Sequence, residues 1–506
     1  MKPAGRIART GKIARQLARL DRAFVWHPFT QMRDWLQKDP IVLVAGKGAV
    51  LWDSHGNEYL DANSSIWTNL HGHNHPRINK AIRRQLSQVA HTSMLGFANE
   101  PASRLAGRLV TLAAGPRGKS GKRGTRANTL TGPKLTRVFY SDDGSTAVET
   151  ALKLSYEYSR RTGGHRPRFL GLEGAYHGDT VGAVSLGHID RFHRAYSGLL
   201  FSSDAVMAPY CYRCPYNRAK PERADARDTR RCGWECLDAL QRRLDSARKR
   251  DRPYTAFVVE PGVQGAAGMI PQPDGWLSQA MERVRSHGAM VIADEVMTAF
   301  GRTVGGREFV RETCGGDLPL FGTHQAGVQA DFLCLAKGLT GGYLPMAATL
   351  TSDAIFGAFL GDYEDFKTFF HGHSYTGNAL GAAASEANLD LLTEAASSRR
   401  RLELARVFGA SLQALWSSSW VGDIRQVGLV AGIELVRDWR TRAPFPLRER
   451  AGIRVCDAMA RRGVLTRPIG NVVVLMPPYC TSDRQVRRMV EVLNEAIVEV
   501  FGRRVL

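Results

Sequence analysis

Leu333-Cys-Leu-Ala-Lys-Gly-Leu-Thr-Gly-Gly342 is an apolar run that stops at a lysine and passes into a turn of glycine and threonine. A short continuous apolar run bounded by turn residues reads as a strand buried on both faces. Such a strand would present the Lys337 amine at its carboxyl end. Lysine is scarce in this half of the chain: beyond Lys249 there are only Lys337 and Lys367, and arginine supplies the other positive charges. An amine kept where arginine would serve any ion pair suits chemistry in which the group must lose its proton. By itself, though, a lysine closing a strand is more often a solvated end residue.

The same pattern extends outward. Apolar runs recur at Arg137-Val-Phe-Tyr140, Arg168-Phe-Leu-Gly-Leu172, Ala256-Phe-Val-Val-Glu260 and Ala289-Met-Val-Ile-Ala-Asp294, mostly separated by segments long enough for helices. Runs of this kind with helical crossovers predict an α/β fold with a mostly parallel sheet, whose ligands gather at the carboxyl ends of the strands. Earlier, Ala49-Val-Leu-Trp-Asp-Ser-His-Gly-Asn-Glu-Tyr-Leu60 alternates as a hairpin turning at His55-Gly56-Asn57. Beyond about residue 390 an arginine-rich helix leads to a meander around Gly422–Leu435, then a closing helix with Val486, Met489, Val490, Leu493, Ile497 and Val500 on one face. The expected organisation is a basic extension over residues 1–23, best read as frayed, and a segment over 24–75 packing with the small domain. A large domain over 76–385 follows, with surface insertions near 115–134 and 211–236. A small α+β domain over 386–506 closes the chain.

The net charge of +21 is diffuse and carried by arginine, and no folded nucleic-acid motif accompanies it, so no nucleic-acid partner is expected. No apolar run approaches the ~20 residues that span a membrane, and the basic stretch 1–22 has no apolar core of a secretory leader. Cysteines show no regular framework, which suits a reducing cytoplasm. Cys211-Tyr-Arg-Cys214 and Cys232-Gly-Trp-Glu-Cys236 approximate the spacing of a four-cysteine zinc site, but the second pair is one residue too wide. An arginine-rich surface insertion with incidental thiols is the commoner meaning, so no metal ligands are expected here. The histidines of Leu70-His-Gly-His-Asn-His-Pro76 read as a turn.

Five constellations carry chemistry. Ser141-Asp-Asp-Gly-Ser-Thr-Ala-Val-Glu149 puts Gly144 and Ser145 at a helix start, where free N–H groups favour an anion, although an ordinary cap is commoner. Gly174-Ala-Tyr-His-Gly-Asp-Thr180 offers Tyr176 to a flat ligand, with Asp179 free to orient Tyr176 or His177. Asp294 follows a buried strand and needs a partner: a protonated pyridine nitrogen, or an ion pair such as Arg302. Thr368-Phe-Phe-His-Gly-His-Ser-Tyr-Thr-Gly-Asn378 is polar and glycine-rich. In Leu465-Thr-Arg-Pro-Ile-Gly470, Arg467 could clamp a carboxylate.

In this order the constellations resemble a fold-type I pyridoxal-phosphate aminotransferase of class III, over about residues 24–500. Trp26-His-Pro-Phe-Thr-Gln-Met, Ser64-Ser-Ile-Trp, His71-Gly-His-Asn-His-Pro, Thr466-Arg-Pro-Ile-Gly and Leu475-Met-Pro-Pro are similar to the diaminononanoate synthase branch, which aminates 8-amino-7-oxononanoate for biotin synthesis. The resemblance implies that Lys337 carries pyridoxal 5'-phosphate and shuttles a proton, and that Asp294 pairs with the ring nitrogen. It implies that Gly144 and Ser145 bind the phosphate and that Tyr176 packs on the ring and touches substrate. Gly372, His373 and Ser374 would reach the cofactor of a neighbouring subunit in a homodimer with shared sites, and Arg467 would pair with the substrate carboxylate. S-adenosylmethionine is the family's usual amino donor. Phe29 and Ile66 stand where that branch has Tyr and Trp, and a lysine-using branch matches this opening better. The alternatives are another class III ω-aminotransferase, acting on ornithine, 4-aminobutyrate or an ω-amino acid with pyruvate, and, from a different class, a basic zinc-containing nucleic-acid-binding protein.

Overall fold

All five apolar runs become strands of one sheet. The computed structural model describes residues 11–115, 130–164, 167–304 and 318–503. The first element, α1 (Gly11–Phe24), is a helix, where a frayed extension was expected. Ala14 and Ala18 are buried, and Asp21 accepts from the His27 imidazole and the Trp35 indole, which ties the helix to the segment after it. Residues 1–10, and most of the insertion expected near 115–134, lie outside the described residues.

Strands β1 (Leu43–Lys47), β2 (Val50–Asp53) and β3 (Glu58–Asp61) form an antiparallel meander. Its β2–β3 turn is held by Asp53, whose carboxylate accepts from the His55 and Asn57 amides. The central sheet has seven strands: β4 (Arg137–Ser141), β5 (Phe169–Leu172), β6 (Asp204–Val206), β7 (Ala256–Val259), β8 (Met290–Asp294), β9 (Phe332–Leu335) and β10 (Ala347–Thr351). Their order is β4-β10-β9-β8-β7-β5-β6, with β10 antiparallel to both neighbours and the other pairings parallel. β5, β7, β9 and β10 are buried at every position, as a sheet covered on both faces requires. β6 and β10 were not anticipated. One is three residues long, and the other, Ala-Ala-Thr-Leu-Thr, is too weakly apolar to stand out.

Helix α2 (Gly144–Arg161) runs back along the sheet from the end of β4. Farther on, β11 (Val421–Val427) and β12 (Val430–Asp438) form the expected meander. With β13 (Val464–Leu465), β14 (Pro468–Ile469) and β15 (Val472–Leu475), two links arise: β12, β15 and β14 pair in one antiparallel sheet, while β13 pairs in parallel with β3. Residues 43–61 and 464–465 thus share a sheet although some four hundred positions separate them. The closing helix α3 (Asp483–Phe501) buries Val486, Met489, Val490, Leu493 and Ile497 of the face its periodicity predicted, while Val500, in its last turn, is half-buried. Among the described residues no helix is long and apolar enough to cross a membrane.

Candidate active site

A cavity of about 510 Å³ opens at the carboxyl ends of β4, β8 and β9, lined by Gly144, Ser145, Tyr176, Asp294 and Lys337. That volume suits a small organic ligand. These five predicted residues come from four separated segments, and the parallel strands bring their ends to one edge.

Lys337 follows β9 in a short tight turn at φ +42°. Its Nζ lies 4.8 Å from the centroid of the Trp67 ring, on the ring face. Burial lowers its pKa below the ordinary lysine value, against the opposing charges of Asp294 and Glu260. The amine is therefore easier to deprotonate than a surface lysine.

Asp294 ends β8 and is buried. Its Oδ2 lies 2.8 Å from His177 Nδ1, and its Oδ1 accepts from the Val296 amide at 3.1 Å. The ion pair suggested with Arg302 does not form: that guanidinium donates to the carbonyls of Pro477 at 3.0 Å and Asn69 at 2.7 Å. For His177, burial acts to lower the imidazole pKa, but the bond to Asp294 and its charge outweigh it and the net shift is upward. A third carboxyl, Glu260, sits just past β7 and accepts from the amides of Gly265 at 2.8 Å and Tyr176 at 3.3 Å. Burial in this apolar floor, with Asp294 nearby, raises its pKa to about 7. Glu260 was legible in principle, because it closes an apolar run as Asp294 does, but was not singled out.

At the start of α2, Asp143 caps the helix by accepting from the Thr146 amide, which leaves the Gly144 and Ser145 N–H groups at the cavity. Ser145 Oγ accepts from the Asp179 amide at 3.1 Å. Gly178 makes this approach possible, since a Cβ there would meet Ser145 Oγ at 2.1 Å. Asp179 orients Tyr176 and not His177: the Tyr176 hydroxyl donates to Asp179 Oδ2 at 2.6 Å.

Trp67 reaches the cavity from a turn in which Ser64, Ser65, Ile66 and Trp67 have φ of +46°, +47°, +62° and +68°. Four consecutive left-handed non-glycine residues cost on the order of 1–2 kcal/mol each. Sequence reasoning quoted Trp67 in the Ser64-Ser-Ile-Trp motif but gave it no role, because no glycine or asparagine lies within the left-handed residues themselves.

The remaining predicted residues lie outside the cavity lining. Phe29, at φ +48°, is 60% exposed, with its ring 5.4 Å from Phe192 and 6.5 Å from Tyr176. Arg467 Nη2 donates to the Phe29 carbonyl at 3.3 Å, so Phe29, Tyr176, Phe192 and Arg467 gather at one approach to the cavity. Ile66 is 43% exposed. Gly372 and Ser374 are exposed, and His373 Nδ1 lies 3.1 Å from Asp142 Oδ2 at the cavity rim. Cys211, Cys214, Cys232 and Cys236 line one small, separate cavity of about 10 Å³. All four are free, Arg230 donates to Cys232 Sγ at 3.3 Å, and among the described residues no group of three or more His, Cys, Asp or Glu is placed to hold a metal ion.

A buried amine, a buried carboxylate with an imidazole behind it, a helix N-terminus and an aromatic wall suit a phosphorylated, nitrogen-containing aromatic aldehyde. Comparison with known proteins agrees. The model of the class-III aminotransferases matches residues 33–497. The chain is 46% identical over 491 residues to the adenosylmethionine-8-amino-7-oxononanoate aminotransferase of Nitratidesulfovibrio vulgaris, covering 96% of this chain and 82% of that one. It superposes with TM-score 0.82 on the crystal structure of the like-named enzyme of Methanocaldococcus jannaschii, at 35% identity and coverage of 96% and 99%. An amine transaminase from an uncultivated Pseudomonas species, solved with pyridoxal phosphate bound, gives TM-score 0.79 at 30% identity, with coverage of 94% and 98%. This chain belongs to the class-III aminotransferases.

Proposed function

We propose that this aminotransferase transfers an amino group to 8-amino-7-oxononanoate, forming 7,8-diaminononanoate on the route to biotin. The carrying observation is the meeting of Lys337, Asp294, Gly144, Ser145 and Tyr176 around one cavity, with Trp67 against the lysine amine. Pyridoxal 5'-phosphate, when bound, supplies the carbonyl that carries the amino group between substrates and the ring that acts as electron sink. The protein's own groups supply the rest. Asp294 holds a negative charge against the ring nitrogen, steadied by His177 and the Val296 amide. The amides at the start of α2 hold the phosphate. Lys337, its proton affinity lowered by burial, attaches the cofactor and moves a proton at the reacting carbon. Tyr176, oriented by Asp179, walls the ring and meets the substrate. Arg467, at the same mouth, pairs with the substrate carboxylate.

The neighbouring subunit completes the site. His91 and Tyr375 pack their rings 4.7 Å apart; Phe370 and Tyr375, on either side of Gly372, His373 and Ser374 in the chain, are large exposed side chains, as are Leu95 and Phe97 shortly after His91. An apolar face of that kind suits burial against a second copy. The free described cysteines suit a reducing cytoplasm.

The donor is S-adenosylmethionine, as the names of the two like-named relatives imply, or lysine, which Phe29 and Ile66 favour because this opening is more like the lysine-using branch. Amination of 8-amino-7-oxononanoate assayed with each donor decides between them. Failure with both, and success with pyruvate as acceptor, would move the enzyme to another class III reaction. Borohydride reduction and peptide mapping is expected to find the pyridoxyl group on Lys337; label on Lys367 would overturn the site.

A further inference from the structure

The left-handed turn Ser64–Trp67 contains no residue that favours its backbone, so its surroundings must hold it. That grip converges on one carboxylate. Asp61 ends β3 and is 3% exposed. Its Oδ1 accepts from the amides of Ser65 at 3.0 Å and Asn63 at 3.3 Å, and its Oδ2 from Ser65 Oγ at 2.9 Å. Oδ2 also lies 2.9 Å from His73 Nε2. The Asn69 side-chain amide donates to His73 Nδ1 at 3.1 Å, so the ring proton resides on Nε2 and points at Asp61. Asn69 is itself oriented, because its Oδ1 accepts from the Gly72 amide at 2.8 Å. On the far side Ser64 Oγ donates to the Met476 carbonyl at 2.6 Å, and the Trp67 indole donates to Asn63 Oδ1 at 2.8 Å.

We propose that Asp61 is a positioning residue for transamination: through the Ser64–Trp67 turn it sets the Trp67 ring against Lys337 and so fixes where that amine stands. The proposal rests on Lys337 being the catalytic amine. Asp61 is not among the residues lining the cavity, so it acts only through the turn. A lysine side chain has several free torsions, and the Trp67 ring face, 4.8 Å from Nζ, restricts them. Proton transfer at a reacting carbon depends steeply on that placement, and a shift of about 1 Å costs roughly 100-fold.

The test uses the holoenzyme and measures kcat, KM, cofactor absorbance and thermal midpoint for Asp61→Asn and Ser65→Ala, each alone and combined with Trp67→Leu. Asp61→Asn is expected to retain the cofactor and to lose roughly 10- to 100-fold in kcat, with KM for the keto acceptor changed by less than about threefold. Ser65→Ala removes one hydroxyl and should give a smaller fall in the same direction, which keeps the test open if Asp61→Asn fails to fold. In the Trp67→Leu background both effects should largely vanish, because residues acting through one another are non-additive. Undiminished kcat in a folded variant, or equal fold losses with and without Trp67, would overturn the proposal. A wild-type enzyme with no cofactor on Lys337 would overturn the lysine assignment instead, a separate and visible outcome.

Discussion

Glu260 shows how the floor of the site is set by individual groups. Its carboxyl is raised from an ordinary 4.5 to about 7 by burial. Native protein therefore holds a proton there that the unfolded chain releases, and folding stability falls as pH rises through that interval. The slope amounts to on the order of 3 kcal/mol across the window. Glu260→Gln is expected to remove it, so that thermal or denaturant unfolding of wild type and variant diverges between about pH 4.5 and 7. Glu295, also buried and raised to about 7, contributes a slope of the same sign in both proteins and drops out of the comparison. Identical pH profiles would count against a protonated Glu260. Lys337 shifts the other way, and for a related reason: burial disfavours its charged form as it disfavours that of Glu260.

At the level of elements, the start of α2, the proposed seat of the cofactor phosphate, is packed against the segment after β8. A Cβ at Gly144 would meet Val296 Cγ1 at 2.6 Å. Gly144→Ala should cost about 1–3 kcal/mol in stability through overpacking. Cofactor affinity should fall with it, since Val296 must move away from the Asp294 carboxylate that its amide steadies. Equilibrium titration of the apoenzyme with pyridoxal phosphate measures this. Unchanged affinity would place the phosphate elsewhere. The end of the chain offers a control: Ser482 caps α3 in a capping box with Gln485. Ser482→Ala should lower stability by about 1 kcal/mol and leave kcat alone.

Across the whole molecule, the loop after β6 is joined to the C-terminal sheet by a buried charge cluster. Arg425 on β11 pairs with Asp423 at 3.0 Å and with Glu434 of β12, donates to the Tyr210 hydroxyl at 2.6 Å and reaches the Gly268 carbonyl at 2.9 Å. Arg425→Met would leave two buried carboxylates facing each other, and a loss of roughly 3–5 kcal/mol is expected in denaturant titration. Assembly is the other property of the whole chain. If the proposed homodimer with shared sites holds, Tyr375→Asp, in the exposed apolar face beside His373, should shift the mass measured by light scattering from dimer to monomer and abolish turnover, because each site would lack its neighbour's loop. Full activity in a monomer would disprove shared sites.

Much of this enzyme could be read from one dimension. Strands buried on both faces are continuous apolar runs, and a parallel sheet sends their carboxyl ends to one edge, so Asp294 and Lys337 could be expected in one pocket. The face of α3 followed from its 3.6-residue period. What stayed hidden depends on distant contacts. β10 is specified less by its own residues than by two neighbouring strands. Asp294 took His177, 117 positions away, in place of the nearby Arg302. The left-handed turn at Ser64–Trp67 exists because Asp61, Met476 and His73 hold a backbone those residues would otherwise avoid. The sequence alone determined which chemical groups are present and at which strand ends they emerge, because periodicity and burial are local. Only the tertiary structure decided which buried charge faces which, because the cost of an unpaired buried group is met by whatever the fold brings near.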